Sequence, residues 1–169
     1  PGGVSVEDSA HDALWAHHDG GDARAMGLAN SETGVITRPD GPVTLLDVTQ
    51  AVGRIPWSFA WSDADIAVVS AHKIGGPRGV GALIVKEGRD IAALQAGGGQ
   101  ELGRRSGTEN VAGIAGFGAA AVSALAELNA GVWDQVAQLR KILEKTIAAT
   151  AKETIFVGNE CERLPNTSL

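Results

Sequence analysis

A short apolar run that leads into a lysine and a glycine-rich turn constrains the fold of this chain most. Residues 65–70 read Asp-Ile-Ala-Val-Val-Ser, which is the pattern of a buried strand, and Ala-His-Lys73 follows at once. Four glycines lie in residues 74–81, and residues 80–86 read as another strand, close enough to return antiparallel. The pattern predicts an α/β sheet with a lysine at the end of one strand, where its amine can act as a nucleophile.

A second strand places a carboxylate at the same edge of the predicted sheet. Val43-Thr-Leu-Leu46 has a buried-strand pattern, and Asp47-Val-Thr-Gln50 comes directly after it. The carboxyl ends of parallel strands line the ligand crevice of an open α/β sheet. There a carboxylate can pair with a protonated pyridine nitrogen, and Gln50 can donate to a ring hydroxyl. Ser70 and His72, which point the same way on a strand, can both contact one phosphate, so the whole set suits pyridoxal phosphate.

Four motifs in a fixed order carry a specific family resemblance. They are Asn30-Ser-Glu-Thr-Gly34, Asp47-Val-Thr-Gln-Ala-Val-Gly53, Ser70-Ala-His-Lys-Ile-Gly-Gly-Pro77, and Gly97-Gly-Gly-Gln-Glu101 followed by Arg105-Ser-Gly-Thr-Glu109. On these motifs the chain resembles the cysteine desulfurases of the NifS/IscS type, over roughly residues 23–169. The resemblance implies the α/β fold of the fold-type-I pyridoxal-phosphate enzymes. That fold has a mostly parallel sheet with flanking helices, and here the start of a smaller α+β domain would follow.

The resemblance also implies a role for each residue of the site. Lys73 would bind pyridoxal 5′-phosphate covalently and serve as the catalytic residue. Asp47 would pair with the pyridine nitrogen, and Gln50 would contact the ring oxygen. Ser70 and His72 would hold the phosphate, and no metal ion is expected.

Three further positions bear on the implied site. Thr108 would reach the phosphate of the partner subunit's cofactor, which makes the working unit a homodimer. Asn30 and Ser31 would contact the cofactor, but the family usually has an asparagine where Ser31 stands. Only twelve residues separate Gly34 from the aspartate, where the family has a helix. The segment Arg38-Pro-Asp-Gly-Pro42 predicts a tight turn there instead.

The activity that the resemblance implies is conversion of L-cysteine to L-alanine with an enzyme-bound persulfide. The sulfur would pass to iron–sulfur cluster assembly or to another acceptor protein. Two alternatives stay open: a related pyridoxal-phosphate lyase or aminotransferase, such as a selenocysteine lyase, and a truncated, non-catalytic dimerisation or binding module. The family's ring-stacking histidine, nucleophilic cysteine and substrate-binding arginine lie outside the matched motifs. We therefore expect this chain to be the middle of a longer enzyme.

Composition narrows the class of protein without identifying it. The net charge of −6 argues against nucleic acid as the main partner. No apolar run is expected to reach about 18 residues, so no membrane span is predicted. The one cysteine, Cys161, excludes an internal disulfide framework, suits a reducing cytoplasm and is expected to be an exposed structural residue. His11 and His18 stand two turns apart on a predicted helix, too far to ligate one metal ion.

The remaining elements follow from periodicity and caps. An amphipathic helix is predicted over residues 6–18, a strand over 23–29, helices over 111–128 and 132–151, and a new strand over 153–157. Asn110 is the predicted cap of the first long helix. The predicted domain boundary lies at residues 130–131, so residues 1–130 would belong to the large cofactor-binding domain. Residues 131–169 would form a connecting helix and the start of the small domain.

Overall fold

One mixed sheet and two long helices form the part of the chain that the structure describes. The structure is a computed structural model that describes the backbone of residues 4–6, 13–18, 21–93 and 95–169, and the side chains of residues 23–93 and 95–169. Its strands are β1 Val4–Val6, β2 Ala13–His18, β3 Gly21–Gly27, β4 Val43–Asp47, β5 Ala64–Ser70 and β6 Gly81–Val85. Its helices are α1 Val111–Asn129 and α2 Val132–Thr150, with 3-10 turns at Phe59–Trp61, Ala71–Ile74 and Gln100–Gly103.

The strands lie side by side in chain order. β3, β4 and β5 are parallel neighbours and form the middle of the sheet. On one side, β2 pairs antiparallel with β3, and β1 pairs antiparallel with β2. On the other side, β6 returns antiparallel onto β5, and only this return is predicted from the sequence. The sheet is therefore mixed, and the predicted parallel arrangement applies to the strands that carry the site.

Aliphatic side chains of the middle strands form the core. In β4, Val43 and Leu46 are buried while Thr44 and Asp47 are exposed, so the strand packs one face and ends on a polar residue. Burial of apolar area is the main force that holds such strands in place. The buried cluster comprises Met26, Leu28, Val43, Leu46, Val48, Ala51, Ala64, Ala67 and Val69.

The N-terminal segment contradicts the sequence prediction. A helix is predicted over residues 6–18, but among the described residues of this segment Val6 ends β1 and Ala13–His18 form β2. β2 pairs with β3 from Ala13↔Met26 to His18↔Gly21. Asp19-Gly20, between the two strands, is a dipeptide typical of two-residue hairpins. The segment forms a strand and not a helix because pairing with β3 supplies hydrogen bonds between strands. A local sequence pattern does not include these bonds.

α1 and α2 confirm the two long helices. The Gly113 N–H donates to Asn110 Oδ1 at 3.1 Å, so Asn110 caps α1 as predicted. Gly131, at a φ of 72°, separates α1 from α2. α1 buries small residues, and Gly53 approaches it so closely that an added Cβ would lie 2.9 Å from the Cβ of Ala124. α1 therefore packs on the turn that follows β4.

The hydropathy of α1 exceeds what the sequence analysis expects. An 18-residue window of this helix has a mean hydropathy of 1.7, so by length and composition alone α1 meets the criterion for crossing a membrane. The expectation that no apolar run approaches this length is wrong. Core helices of soluble proteins meet the same criterion, and a single such helix is weak evidence for a membrane span.

The chain after α2 runs back to the sheet without forming the predicted strand. Residues 153–157 are irregular, and Glu153 has a φ of 57°, which no strand residue adopts. The Val157 N–H donates to the Leu169 carbonyl at 2.8 Å instead of entering a ladder. Leu164, only 1% exposed, packs with Ala29 and Ile36. The domain boundary at residues 130–131 stays a prediction.

The predictions for residues 38–42 and for Cys161 are confirmed. Residues 38–42 contain no helix, as their prolines predict, and Asp40 forms an ion pair with Arg24 of β3. The carboxylate is fully exposed, and its hydrogen bond with Arg24 lowers the pKa of Asp40. Cys161 is a free, exposed cysteine, as expected.

Candidate functional site

The carboxyl ends of the three parallel strands lie level at one edge of the sheet. Asp47 at the end of β4 pairs with Gly27 of β3 and with Val68 of β5. The Val48 N–H still donates to the Val68 carbonyl at 3.1 Å, so this register continues past the end of β4. Ligands of open α/β sheets bind at this edge. Seven predicted site residues lie at these strand ends or shortly after them: Asn30, Ser31, Asp47, Gln50, Ser70, His72 and Lys73.

Asp47 begins the turn that places Gln50. The Thr49 N–H donates to Asp47 Oδ1 at 2.8 Å, which is an Asx-turn. The Val52 N–H donates to the Val48 carbonyl at 3.0 Å and closes the next turn of the backbone. Asp47 remains exposed, whereas Gln50 is half-buried. The Asp47 carboxylate is therefore accessible to a ligand at the sheet edge.

Lys73 lies in one tight turn after β5. Ser70 is the last residue of β5, Ala71–Ile74 form the 3-10 turn, and Gly75 ends it at a φ of 87°. His72 is exposed, while Ser70 and Lys73 are half-buried. The expectation that strand alternation aligns Ser70 with His72 is wrong, because the strand ends before His72. The tight turn, and not an extended backbone, keeps these residues near one another.

Arg54 joins the two turns, and the sequence analysis missed it. Its Nη1 donates to the Gln50 carbonyl at 2.6 Å, and its Nη2 donates to the Lys73 carbonyl at 2.7 Å. The guanidinium carbon lies 5.7 Å from the centre of the Trp133 ring. Burial lowers the pKa of Arg54 from its ordinary value. Its position directly after the Asp47–Gly53 motif was the available signal, but only the fold brings its side chain to the lysine turn.

Asn30 and Ser31 occupy the turn after β3. Asn30 Oδ1 accepts hydrogen bonds from the N–H groups of Glu32 and Thr33, each at 2.8 Å. Ser31 is exposed, and its Oγ donates to Glu32 Oε1 at 3.2 Å. Because the amide oxygen of Asn30 is used within the turn, a ligand at this place would meet the amide nitrogen. The cofactor contacts of both residues stay predictions.

Thr108 lies in an exposed segment before α1. The preceding residue, Gly107, has a φ of 92°, so the backbone turns sharply here. Among the described residues, no hydrogen bond joins Thr108 to Asp47 or to Lys73. Its contact with a partner subunit's cofactor stays a prediction.

The side chains gathered at the strand ends fit pyridoxal phosphate chemically. The Asp47 carboxylate suits a protonated pyridine nitrogen, and the Gln50 amide suits a ring oxygen. The Ser70 hydroxyl and His72 imidazole suit a phosphate, and the Lys73 amine suits an aldehyde. Every functional group of the cofactor thus has a partner of suitable chemistry at one edge of the sheet.

A metal centre has no support among the described side chains. No three His, Cys, Asp or Glu side chains in residues 23–93 and 95–169 lie close enough together to hold a metal ion. His11 and His18 lie outside the described side chains, so the prediction about them is untested.

Comparison with known proteins decides the family. The model of the class V aminotransferases matches residues 26–168, a range that includes all four motifs. The chain belongs to the class V aminotransferases. It is 39% identical over 149 residues to a cysteine desulfurase of Trichormus azollae and 43% identical over 157 residues to one of Frankia sp. (strain EuIK1). These alignments cover 83% and 85% of this chain, which spans 37% of the length of each relative.

Solved structures of the same family have the same fold. A NifS-like protein from Rickettsia africae superposes with a TM-score of 0.77 at 34% identity, over 85% of this chain and 42% of that protein. DndA from Streptomyces lividans superposes with a TM-score of 0.70 at 31% identity, over 83% of this chain and 43% of that one. The fold-type-I class and the NifS/IscS resemblance are therefore confirmed for this class V aminotransferase chain.

Proposed function

We propose that this class V aminotransferase is a pyridoxal-phosphate-dependent cysteine desulfurase, which converts L-cysteine to L-alanine and retains the sulfur as an enzyme-bound persulfide. The observation that carries the proposal is the grouping of Asp47, Gln50, Ser70, His72 and Lys73 at the carboxyl ends of β4 and β5. The relatives named cysteine desulfurase support the choice of substrate. They favour this activity over a selenocysteine lyase or a non-catalytic binding module.

Each residue of the site has its own task in the proposed reaction. Asp47 holds a proton at the pyridine nitrogen, and Gln50 donates to the ring oxygen. Ser70 Oγ and the His72 ring bind the phosphate. The Lys73 amine removes the proton from Cα of L-cysteine. Pyridoxal phosphate, when bound, supplies the electron sink for the charge that this proton transfer leaves.

The sulfur step needs a thiolate that attacks the sulfur of the substrate. Attack forms the sulfur–sulfur bond of the persulfide and breaks the Cβ–S bond of the substrate, whose electron pair stays on the carbon skeleton and is protonated to give L-alanine. The outer sulfur of the persulfide would then pass to iron–sulfur cluster assembly or to another acceptor protein. Cys161 is not proposed for this role: it lies in the turn after α2, where its N–H donates to the Gly158 carbonyl at 3.0 Å. The resemblance assigns the attacking thiol to a mobile loop beyond the matched motifs.

The proposed enzyme works as a homodimer in a reducing cytoplasm. The exposed loop at residues 97–108 supports the dimer, because its glycines allow a close approach and Leu102 is 88% exposed. Subunit mixing tests it: a Lys73→Ala chain and a Thr108→Val chain, each inactive alone, should regain activity as heterodimers that contain one intact site. Heterodimers without activity would mean that Thr108 does not serve the partner's site.

Trapping of the cofactor tests the proposed lysine. The protein is incubated with pyridoxal phosphate, reduced with borohydride and mapped by peptide mass spectrometry. The adduct should lie on Lys73 and disappear in Lys73→Ala. Lys86→Ala is the control, since Lys86 is an exposed lysine 4.0 Å from Asp65, and the adduct should persist in it. An adduct on any other lysine contradicts the assignment.

Product analysis of the holoenzyme separates the three functions. A desulfurase forms L-alanine from L-cysteine together with a protein persulfide. Turnover of L-selenocysteine alone would indicate a lyase. Cofactor on Lys73 without turnover of either amino acid would indicate a binding module.

A further inference from the structure

We propose that Arg54 is a positioning residue that holds Lys73 and Gln50 in a fixed relation at the sheet edge. The proposal rests on the proposed function, because that function gives these two residues their roles toward the cofactor. Arg54 itself need not touch the cofactor. It acts through the backbone carbonyls of the two residues that do.

The guanidinium of Arg54 spans two turns that follow different strands. Its Nη1 lies 2.6 Å from the Gln50 carbonyl after β4, and its Nη2 lies 2.7 Å from the Lys73 carbonyl after β5. Both nitrogens belong to one rigid planar group, so the fork limits the separation of the two carbonyls. Holding the Lys73 carbonyl also holds the backbone from which its amine extends.

Trp133, near the start of α2, confines the guanidinium at the turns. The guanidinium carbon lies 5.7 Å from the Trp133 ring centre, within the range of a cation–π interaction. Arg54, Lys73 and Trp133 line a cavity of about 240 Å³ beside the turns. Within the part of the chain that the structure describes, the buried atoms Arg54 Nε and Trp133 Nε1 have no hydrogen-bond partner.

Burial of this guanidinium is unfavourable in itself. Desolvation lowers the pKa of Arg54, and leaving Nε unpaired adds to the cost. The two short bonds to carbonyls offset that cost. An arginine exposed to solvent would not have this desolvation cost. We therefore attribute the burial of Arg54 to its role in connecting the two turns.

Arg140 offers a matched control in the same chain. It is also half-buried, and its Nη1 donates to the carbonyls of Leu164 at 2.8 Å and Thr167 at 3.3 Å. Burial likewise lowers the pKa of Arg140. These carbonyls belong to the C-terminal segment and not to the two turns. Replacement of either arginine by methionine removes the same kind of interaction, but only Arg54→Met should change Lys73.

The first measurement needs no cofactor. Amide hydrogen exchange is followed in residues 48–52 and 71–76 for the wild type, Arg54→Met, Arg54→Lys and Arg140→Met. Arg54→Met should speed exchange in both turns by about tenfold or more, because a lost charge-assisted hydrogen bond is worth at least that factor. In Arg54→Lys the exchange rates should lie between those of the wild type and Arg54→Met, because one ammonium group does not bridge both carbonyls as the guanidinium does. Arg140→Met should leave both turns unchanged.

The second measurement uses pyridoxal phosphate as the probe. The rate of the borohydride-trapped adduct on Lys73 should fall about tenfold in Arg54→Met, recover in part in Arg54→Lys and match the wild type in Arg140→Met. Equal exchange in Arg54→Met and Arg140→Met, or wild-type trapping in Arg54→Met, overturns the inference. If the wild type forms no adduct on Lys73, the proposed function is contradicted. The hydrogen-exchange measurement then decides by itself whether Arg54 holds the two turns. If Arg54→Met does not fold, Arg54→Lys decides through the same two measurements.

Discussion

Gly53→Ala should destabilise the protein through two effects that can be measured separately. Gly53 has a φ of +77°, where an added Cβ costs about 1–2 kcal/mol. The same Cβ would lie 2.9 Å from the Cβ of Ala124 and 3.4 Å from Cγ2 of Ile74, and overpacking of this kind costs about 1–3 kcal/mol. The free energy of unfolding should therefore fall by about 2–5 kcal/mol.

Gly88 separates backbone strain from the clash. Its φ is +79°, almost that of Gly53, and no atom of the described residues lies within 4 Å of an added Cβ. Gly88→Ala should therefore lose only about 1–2 kcal/mol. Adding Ala124→Gly to Gly53→Ala should remove the clash and restore the part of the free energy of unfolding that the clash costs. The glycine introduced inside α1 should itself cost about 1 kcal/mol. The two substitutions should thus show a favourable coupling energy in a double-mutant cycle.

Urea denaturation followed by tryptophan fluorescence measures Gly53→Ala, Gly88→Ala, Ala124→Gly and the double variant Gly53→Ala/Ala124→Gly. The midpoints should shift while the denaturant slope stays constant, since the packing changes and the surface exposed on unfolding does not. Equal losses for Gly53→Ala and Gly88→Ala, with no coupling between positions 53 and 124, would refute the close packing of α1 on this turn. The contact bears on the site because the same turn carries Gln50 and precedes Arg54.

Two further predictions concern the C-terminal ion pair and the cap of α1. Burial opposes ionisation of Glu144, but the Ser168 hydroxyl and the Arg163 guanidinium outweigh it and hold the pKa of Glu144 below its ordinary value of 4.5. The carboxylate therefore stabilises the fold above pH 4.5, and this contribution is lost as the pH falls through the lower folded-state pKa. The urea midpoint, measured as a function of pH, should fall at low pH in the wild type through this loss, and Glu144→Gln should not show it. Parallel curves for the two proteins would contradict the stabilising role of the carboxylate. Asn110→Ala removes the bond to the Gly113 N–H and should cost about 1 kcal/mol in the same assay, so an unchanged midpoint would speak against the cap.

Local sequence patterns are enough to predict the strands and the helix cap around the site. β4 and β5 are short, largely aliphatic runs that each end on a polar residue, Asp47 and Ser70, and β6 follows the glycine turn at once. Asn110 marks the start of α1 because a side-chain oxygen satisfies an otherwise unpaired helical N–H. Such signals are local: each depends on residues within one strand, turn or cap. The order of Asp47, Gln50 and Lys73 could therefore be read before the fold was known.

Contacts between residues far apart in the chain could not be predicted from these local patterns. The segment at residues 6–18 has a helical pattern, yet β2 forms there because β3 offers it a hydrogen-bonding edge. Residues 153–157 have strand-like composition but pair with no strand among the described residues. Arg54 reaches the Lys73 carbonyl only because parallel pairing sets β4 and β5 level and so brings their following turns together. Hydrogen bonds between segments far apart in the chain depend on the packing of the whole sheet, and no local pattern of residues encodes them.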